Sequence, residues 1–257
     1  MAREIKNSRL STRKLNFSRN HILANLPKHE YDQIAPLLEP VSLPAGKMLH
    51  DVNEPITNEY FVTSGLASII TMMSNGDSVE VGMVGNEGFT GLPVLLDIPS
   101  SSSRVIIQIT GDGLQMDSKA LREMLLGVPL LEFNLARFSY LQALQMAQIA
   151  ACNRLHEIEE RLARWLLMVQ DRIKSNVVSL THEFLGSMLG TRRASVTIAA
   201  GILHKAGIIE YRRGQIHILD RQKLEETACE CYEIVHGQFE AYLKADAPAR
   251  SSIPTPA

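Results

Sequence analysis

"LTHEFLGSMLGTRRASVTIAAGILHKAGII", residues 180–209, carries the reading of this chain. Its first part forms a short helix, with Thr181 as a plausible N-cap and Glu183 in the first turn, where negative charge suits the helix dipole. Phe184, Leu185, Met188 and Leu189 face one way. Gly186 sits in mid-helix at a cost of up to about 1 kcal/mol, which makes sense if another helix crosses closely there. Gly190 ends the helix through a positive φ, and Thr191-Arg192 completes a tight turn. A second helix runs from about Arg193 to Ala206, with Val196, Ala199, Ala200 and Leu203 as its inner stripe. Arg193, Ala194, Thr197, Ile198 and Gly201 then point outward together. Helix, glycine-containing turn, helix is the helix-turn-helix, whose second element enters the DNA major groove. Arg193 can reach a guanine edge bidentately, and Ala194 and Ile198 can meet thymine methyls. Arg192, Thr181 and Ser195 are placed for phosphate oxygens.

The next stretch strengthens this. Gly207 caps the helix, and "IIEYRRGQIHIL" (208–219) reads as a hairpin with Arg212-Arg213-Gly214 at its tip, a basic wing suited to neighbouring phosphates. Residues 180–219 hold five cations (Arg192, Arg193, Lys205, Arg212, Arg213) against Glu183 and Glu210. Beyond Asp220, "RQKLEETACECYEIVHGQFEAYL" reads as one amphipathic helix with Leu224, Ala228, Cys231 or Tyr232, Val235 and Phe239 inward, packing on the DNA-binding domain.

Upstream, "HEIEERLARWLLMVQDRI" (156–173) is amphipathic, burying Ile158, Leu162, Trp165, Leu166 and Val169. Before it, the segment from Pro129 to about Cys152 lacks Gly and internal Pro; a helix of that length spans about 36 Å. Leu131, Leu135, Phe138, Leu141, Leu144 and Ile149 make an apolar stripe, with Ala143, Ala147, Ala150 and Ala151 alongside. Small residues let a second helix approach, so this reads as a dimer helix. Cys152-Asn153-Arg154 is the expected hinge.

Residues 40–116 have a different texture. "VSLPAGKMLH", "EYFVTSGLASIITMM", "DSVEVGMVG" and "SRVIIQITGDGLQM" are short runs rich in Val, Ile and Thr, separated by glycines. They predict an antiparallel barrel or sandwich, with Asn75-Gly76 at a tight hairpin. "SKALREMLLG" follows as a short helix capped by Ser118 or Asp117 and stopped at Gly127. Residues 20–38 predict short helical pieces around Pro27.

The totals exclude several classes. The chain has 257 residues and a net charge of −2, which names no partner by itself. No run approaches the roughly 18 apolar residues of a membrane span and no signal sequence is legible, so a soluble, cytoplasmic protein is expected. Three cysteines (Cys152, Cys229, Cys231) are too few for a disulfide framework and one short of a four-thiolate iron–sulfur site. They read as reduced structural thiols, with Cys229 and Cys231 facing apart on a helix. Residues 40–116 contain one histidine, His50, too few ligands for a metal enzyme, and no nucleophile elbow or phosphate-cradling Gly-Lys loop is present.

The order of these parts resembles the Crp/Fnr family of bacterial transcription regulators, over roughly residues 20–219. The carrying stretches are "EYFVTSGLASI", "GNEGFTGLPVLL", "RLARWLL" and the opening segment. The resemblance implies a homodimer on a two-fold symmetric operator that meets RNA polymerase. It also places an effector pocket at Gly91, Leu92, Ser102, Ser103, Arg104, Met146 and Ala147. In cyclic-AMP-binding members the glycine of the phosphate cassette is followed by glutamate, where this chain has Leu92. An Arg-Ser pair further on reads Ser102-Ser103, with Arg104 beside it, and the adenine-contacting Thr-Ser pair falls at Met146-Ala147. A phosphodiester there lacks charge-assisted partners, which argues against cyclic AMP. On the recognition helix the family's Arg, Glu and Arg fall at Arg193, Ala194 and Ile198, so a different operator is expected.

The expected fold is α+β: an antiparallel β-roll sensor of cyclic-nucleotide-binding type (20–128), a dimerisation helix (129–152), and a winged helix-turn-helix domain with an extra C-terminal helix (153–244). A disordered basic arm (1–19) and a disordered tail (245–257) flank them. The expected function is sequence-specific transcription regulation by a non-enzymatic homodimer with no metal or cofactor, its effector unknown or lost. The competing reading is a sensory or scaffold protein whose winged domain mediates protein contacts.

Overall fold

The computed structural model describes residues 19–180, 182–212 and 214–245, with 182 and 183 described for their backbone only. Two short helices, α1 (His21–Ala24) and α2 (Lys28–Ile34), flank Pro27 and lead through a 3₁₀ turn into seven strands. These are β1 (Glu39–Leu43), β2 (Met48–His50), β3 (Asn58–Val62), β4 (Leu66–Met72), β5 (Ser78–Val84), β6 (Arg104–Ile109) and β7 (Gly111–Asp117). They make two antiparallel sheets, ordered β1-β7-β3 and β2-β6-β4-β5. Every apolar run read as a strand is one, and Asn75-Gly76 turns the β4–β5 hairpin, with Gly76 at φ 90°. The inward side chains Phe61, Val62, Leu66, Met83, Val84, Ile107 and Met116 close the space between the sheets. Helix α3 (Ser118–Leu125) follows, its cap settled as Asp117, which accepts from the Ala120 amide.

Helix α4 (Pro129–Leu155) is 27 residues long, about 40 Å. Its apolar stripe divides. Leu131, Leu135, Phe138, Leu141 and Ile149 are buried within the chain's own fold, whereas Ala136, Tyr140, Ala143, Ala147 and Ala150 are exposed. The exposed set repeats at alternating spacings of four and three, the spacing of a helix-pairing seam. The expected hinge at Cys152–Arg154 is instead the unbroken last turn of α4. The chain bends two residues later, at His156, whose backbone is extended (φ −112°, ψ 152°). Glu157 then caps α5 (Ile158–Ile173) in a reciprocal capping box with Glu160. Helix α5 is buried on nearly all sides, because the β-roll covers one flank and the C-terminal domain another.

The C-terminal domain comprises β8 (Val177–Ser179), α6 (His182–Met188), α7 (Arg193–Lys205), β9 (Ile209–Arg212) and β10 (Gln215–Ile218). The wing has an additional strand, for the sheet order is β8-β10-β9. The segment after Asp220, expected as one helix on this domain, is two helices, α8 (Arg221–Thr227) and α9 (Cys231–Lys244). The break at Ala228–Glu230 turns α9 away from the winged sheet and onto α4 and α5. An aromatic ladder marks its seat: the Phe61–Phe89, Phe89–Phe138 and Phe138–Tyr242 ring centroids lie 5.8, 5.9 and 6.4 Å apart. Arg172 of α5 pairs with Glu87 of the β-roll at 2.7 Å and lies over the Phe239 ring of α9. No described helix is long and apolar enough to cross a membrane.

Candidate nucleic-acid interface

The interface is built on α6 and α7. A Cβ added at Gly186 would lie 2.9 Å from the Thr191 carbonyl oxygen and 3.3 Å from the Arg193 amide nitrogen, so only glycine lets the turn cross here. Gly190 adopts φ +58°, and Arg161 of α5 donates to the neighbouring Leu189 carbonyl. Helix α7 is held from inside by Val196, Ala199, Ala200 and Leu203, each at most 3% exposed. The geometry therefore fixes which side faces out.

The outward face holds the residues the spacing selected. Arg192, Arg193, Ala194 and Thr197 are exposed and Ile198 is 63% exposed, while Ser195 is half-buried at the edge. Thr197 Oγ1 donates back to the Arg193 carbonyl at 3.0 Å. Lys205 lies on the same face but twelve residues along, about 18 Å from Arg193. Arg212, at the end of β9, is exposed and pairs with Glu210 at 2.7 Å, which offsets part of the wing's charge. Thr181 and Arg213 lie outside the described residues, as do the basic arm through residue 18 and the tail from residue 246.

The seven pocket candidates are placed as follows. Leu92 and Ser102 border one shallow groove with Pro93, Leu96 and Ile98. Arg104 is taken up by Asp51, through Nε–Oδ1 at 3.0 Å and Nη2–Oδ2 at 3.2 Å. Ser103 is tied to Ser101 through its amide. On α4, Met146 packs into the core and Ala147 is exposed on the opposite side from the β-roll. Gly91, at φ +102°, has no room for a side chain because the fully buried Glu59 carboxyl lies where its Cβ would be. Burial pushes the Glu59 carboxyl up to about 8, against the opposing hydrogen bond from Ser118. Glu59 was not legible as a pocket residue, since nothing local in "NEYFV" ties it to Gly91. His50 is a structural histidine, 3.1 Å from the Asn58 carbonyl, and burial lowers its pKa.

The β-roll meets α6 and the turn after it through β5. Val79 is within 2.9 Å of where a Cβ on Gly190 would stand. Trp165 of α5 donates to the buried Glu80 at 2.8 Å, and burial raises Glu80 to about 7. The three thiols correct the sequence reading: Cys229 precedes α9 rather than lying on it, and Cys152, Cys229, Cys231 and His156 face one another.

Residues 160–227 match the Crp-like helix-turn-helix domain family. The fold is similar to that of FixK2 from Bradyrhizobium japonicum (17% identity, 75% of this chain and 98% of that one, TM-score 0.62). It is similar also to the c-di-GMP-responsive global regulator CLP of Xanthomonas campestris (13%, 75% and 99%, TM-score 0.63). A CRP-family transcriptional regulator from Thermus thermophilus gives 20%, 73% and 96%, TM-score 0.61. A comparison with curated proteins returns no match. The chain thus has the fold of the Crp/Fnr transcription regulators, and its residues 160–227 match the Crp-like helix-turn-helix domain.

Proposed function

We propose that this protein is a sequence-specific DNA-binding transcription regulator that acts as a homodimer. One observation carries the reading: an exposed row of Arg193, Ala194, Thr197 and Ile198 on a helix whose other side is wholly buried. An isoleucine 63% exposed beside a guanidinium has no partner in water. Against base edges it meets a thymine methyl while Arg193 takes a guanine. Arg192, Ser195, Lys205 and the wing residue Arg212 serve as phosphate contacts, and the sequence assigns the same role to Thr181 and Arg213.

The exposed alanine seam of α4 supports pairing with a second copy, which would present two α7 helices to successive grooves of a two-fold operator. RNA polymerase is the further partner that such a regulator engages. The sensor side supports a departure from anionic cyclic nucleotides, because Arg104 is already paired and Glu59 fills the space at Gly91. Both features argue against phosphate recognition by the Gly91–Leu92 turn, Ser102–Arg104 and Met146–Ala147.

The test is selection of bound fragments from random duplex DNA, followed by titration of wild type and Arg193→Ala. Loss of Arg193 should cost about 1–3 kcal/mol and relax preference at one base position. Equal weakening on every sequence would make Arg193 a backbone contact. Absence of any salt-dependent affinity for DNA would remove the reading altogether.

A further inference from the structure

At the junction of the two domains, four potential metal ligands converge from three places in the chain. Cys152 comes from the last turn of α4, His156 from the bend after it, Cys229 from the break between α8 and α9, and Cys231 from the first residue of α9. Their donor atoms all lie within 4.8 Å of one another. Cys152 Sγ and Cys229 Sγ are 3.5 Å apart, and Cys231 Sγ is 3.5 Å from His156 Nδ1. For bonds of the length zinc makes to thiolate, the edge of a tetrahedron is about 3.8 Å. The observed spacing fits four ligands around a single ion. An iron–sulfur cluster interposes its own sulfurs and iron atoms and would hold the cysteines further apart.

The surroundings match what such a site needs. The far nitrogen of the imidazole, His156 Nε2, is 3.1 Å from Glu230 Oε2, the carboxylate–histidine arrangement that orients a metal-bound imidazole. Gln148 donates to Cys231 Sγ at 3.1 Å. Three thiolates and a divalent ion leave one negative charge to be balanced. Arg164, only 2% exposed, makes no ion pair among the described residues and its Nε lacks a partner. Its charge, with that of Arg161, acts on this cluster.

We infer that Cys152, His156, Cys229 and Cys231 form a four-coordinate site for one zinc-like divalent ion that ties the end of α4 to the start of α9. The site clamps the C-terminal helix onto the long helix at the place where the chain bends between domains. It stands independently of DNA binding.

The full-length chain, purified under reducing conditions, tests it by metal analysis and by titration of the stripped protein with cobalt(II). One zinc per chain is expected, and equimolar cobalt should give the intense visible bands of a tetrahedral site with sulfur-to-cobalt charge transfer. Cys152→Ser and Cys231→Ser should abolish the charge-transfer bands or reduce their intensity. Glu230→Ala, a change at an exposed residue that spares the fold, should weaken the metal about 10–100-fold. Reduced wild type that takes up no cobalt at micromolar concentration would overturn the inference. So would a cobalt spectrum unchanged in both serine variants, or a Cys152–Cys229 disulfide recovered quantitatively from rapidly trapped cells.

Discussion

Replacing Glu59 by glutamine removes a titrating group from the core with almost no change of shape. Glu59 is fully buried and receives one hydrogen bond, from Ser118 Oγ to Oε1 at 3.1 Å. Its Oε2 has no partner, and no ion pair reaches it among the described residues. Burial raises the carboxyl from 4.5 to about 8, so the folded protein holds a proton there that the unfolded chain releases in this window. The group's contribution to stability is therefore present below pH 4.5 and lost progressively as pH rises toward 8. At about 1.4 kcal/mol per unit, the interval amounts to at most about 5 kcal/mol, and relaxation around the charge would leave roughly half. Glutamine does not titrate, but its amide nitrogen inherits the unpartnered position beside Gly91, at a cost of about 1–3 kcal/mol. The two proteins should thus have crossing stability curves. Thermal melts between pH 5 and 8.5 should show wild type ahead at the acidic end. Glu59→Gln should lose about 5–10 °C less than wild type as pH rises. Parallel curves would show that Glu59 titrates normally and that the region around Gly91 is open to water.

Three further outcomes follow from the packing. Gly186→Ala gains up to about 1 kcal/mol in helix propensity but drives a methyl against the Thr191 carbonyl, so the melting temperature should fall; a rise would refute the close crossing. Arg172→Ala leaves the Glu87 carboxylate buried and uncovers Phe239, and should cost about 3–5 kcal/mol in denaturant melts. A loss below about 1 kcal/mol would place that pair effectively in solvent. Ala147→Glu puts charge on the exposed seam of α4, and sedimentation should then report monomers where wild type gives dimers. A variant that still pairs would move the dimer contact elsewhere.

The amino-acid sequence determined whatever depends on near neighbours. Gly186, Gly190 and the inner stripe from Val196 to Leu203 specify a helix, a turn and a second helix, because steric room and periodicity act within a few residues. The same holds for the hairpin at Asn75-Gly76 and for the strands of residues 40–116. The outward set on α7 was legible for that reason. Tertiary structure decided the contacts between distant segments. Cys152 and Cys229 are 77 residues apart. Cys152 and His156 do share a helical spacing of four, the one local signal of that cluster, but its other half lies at a helix break that periodicity read through. The placing of Glu59 against Gly91, and the return of α9 onto α4, likewise depend on packing between surfaces whose order along the chain says nothing of their distance in space. Long-range burial selects among many arrangements of the same local elements, and only the assembled fold shows which one it selected.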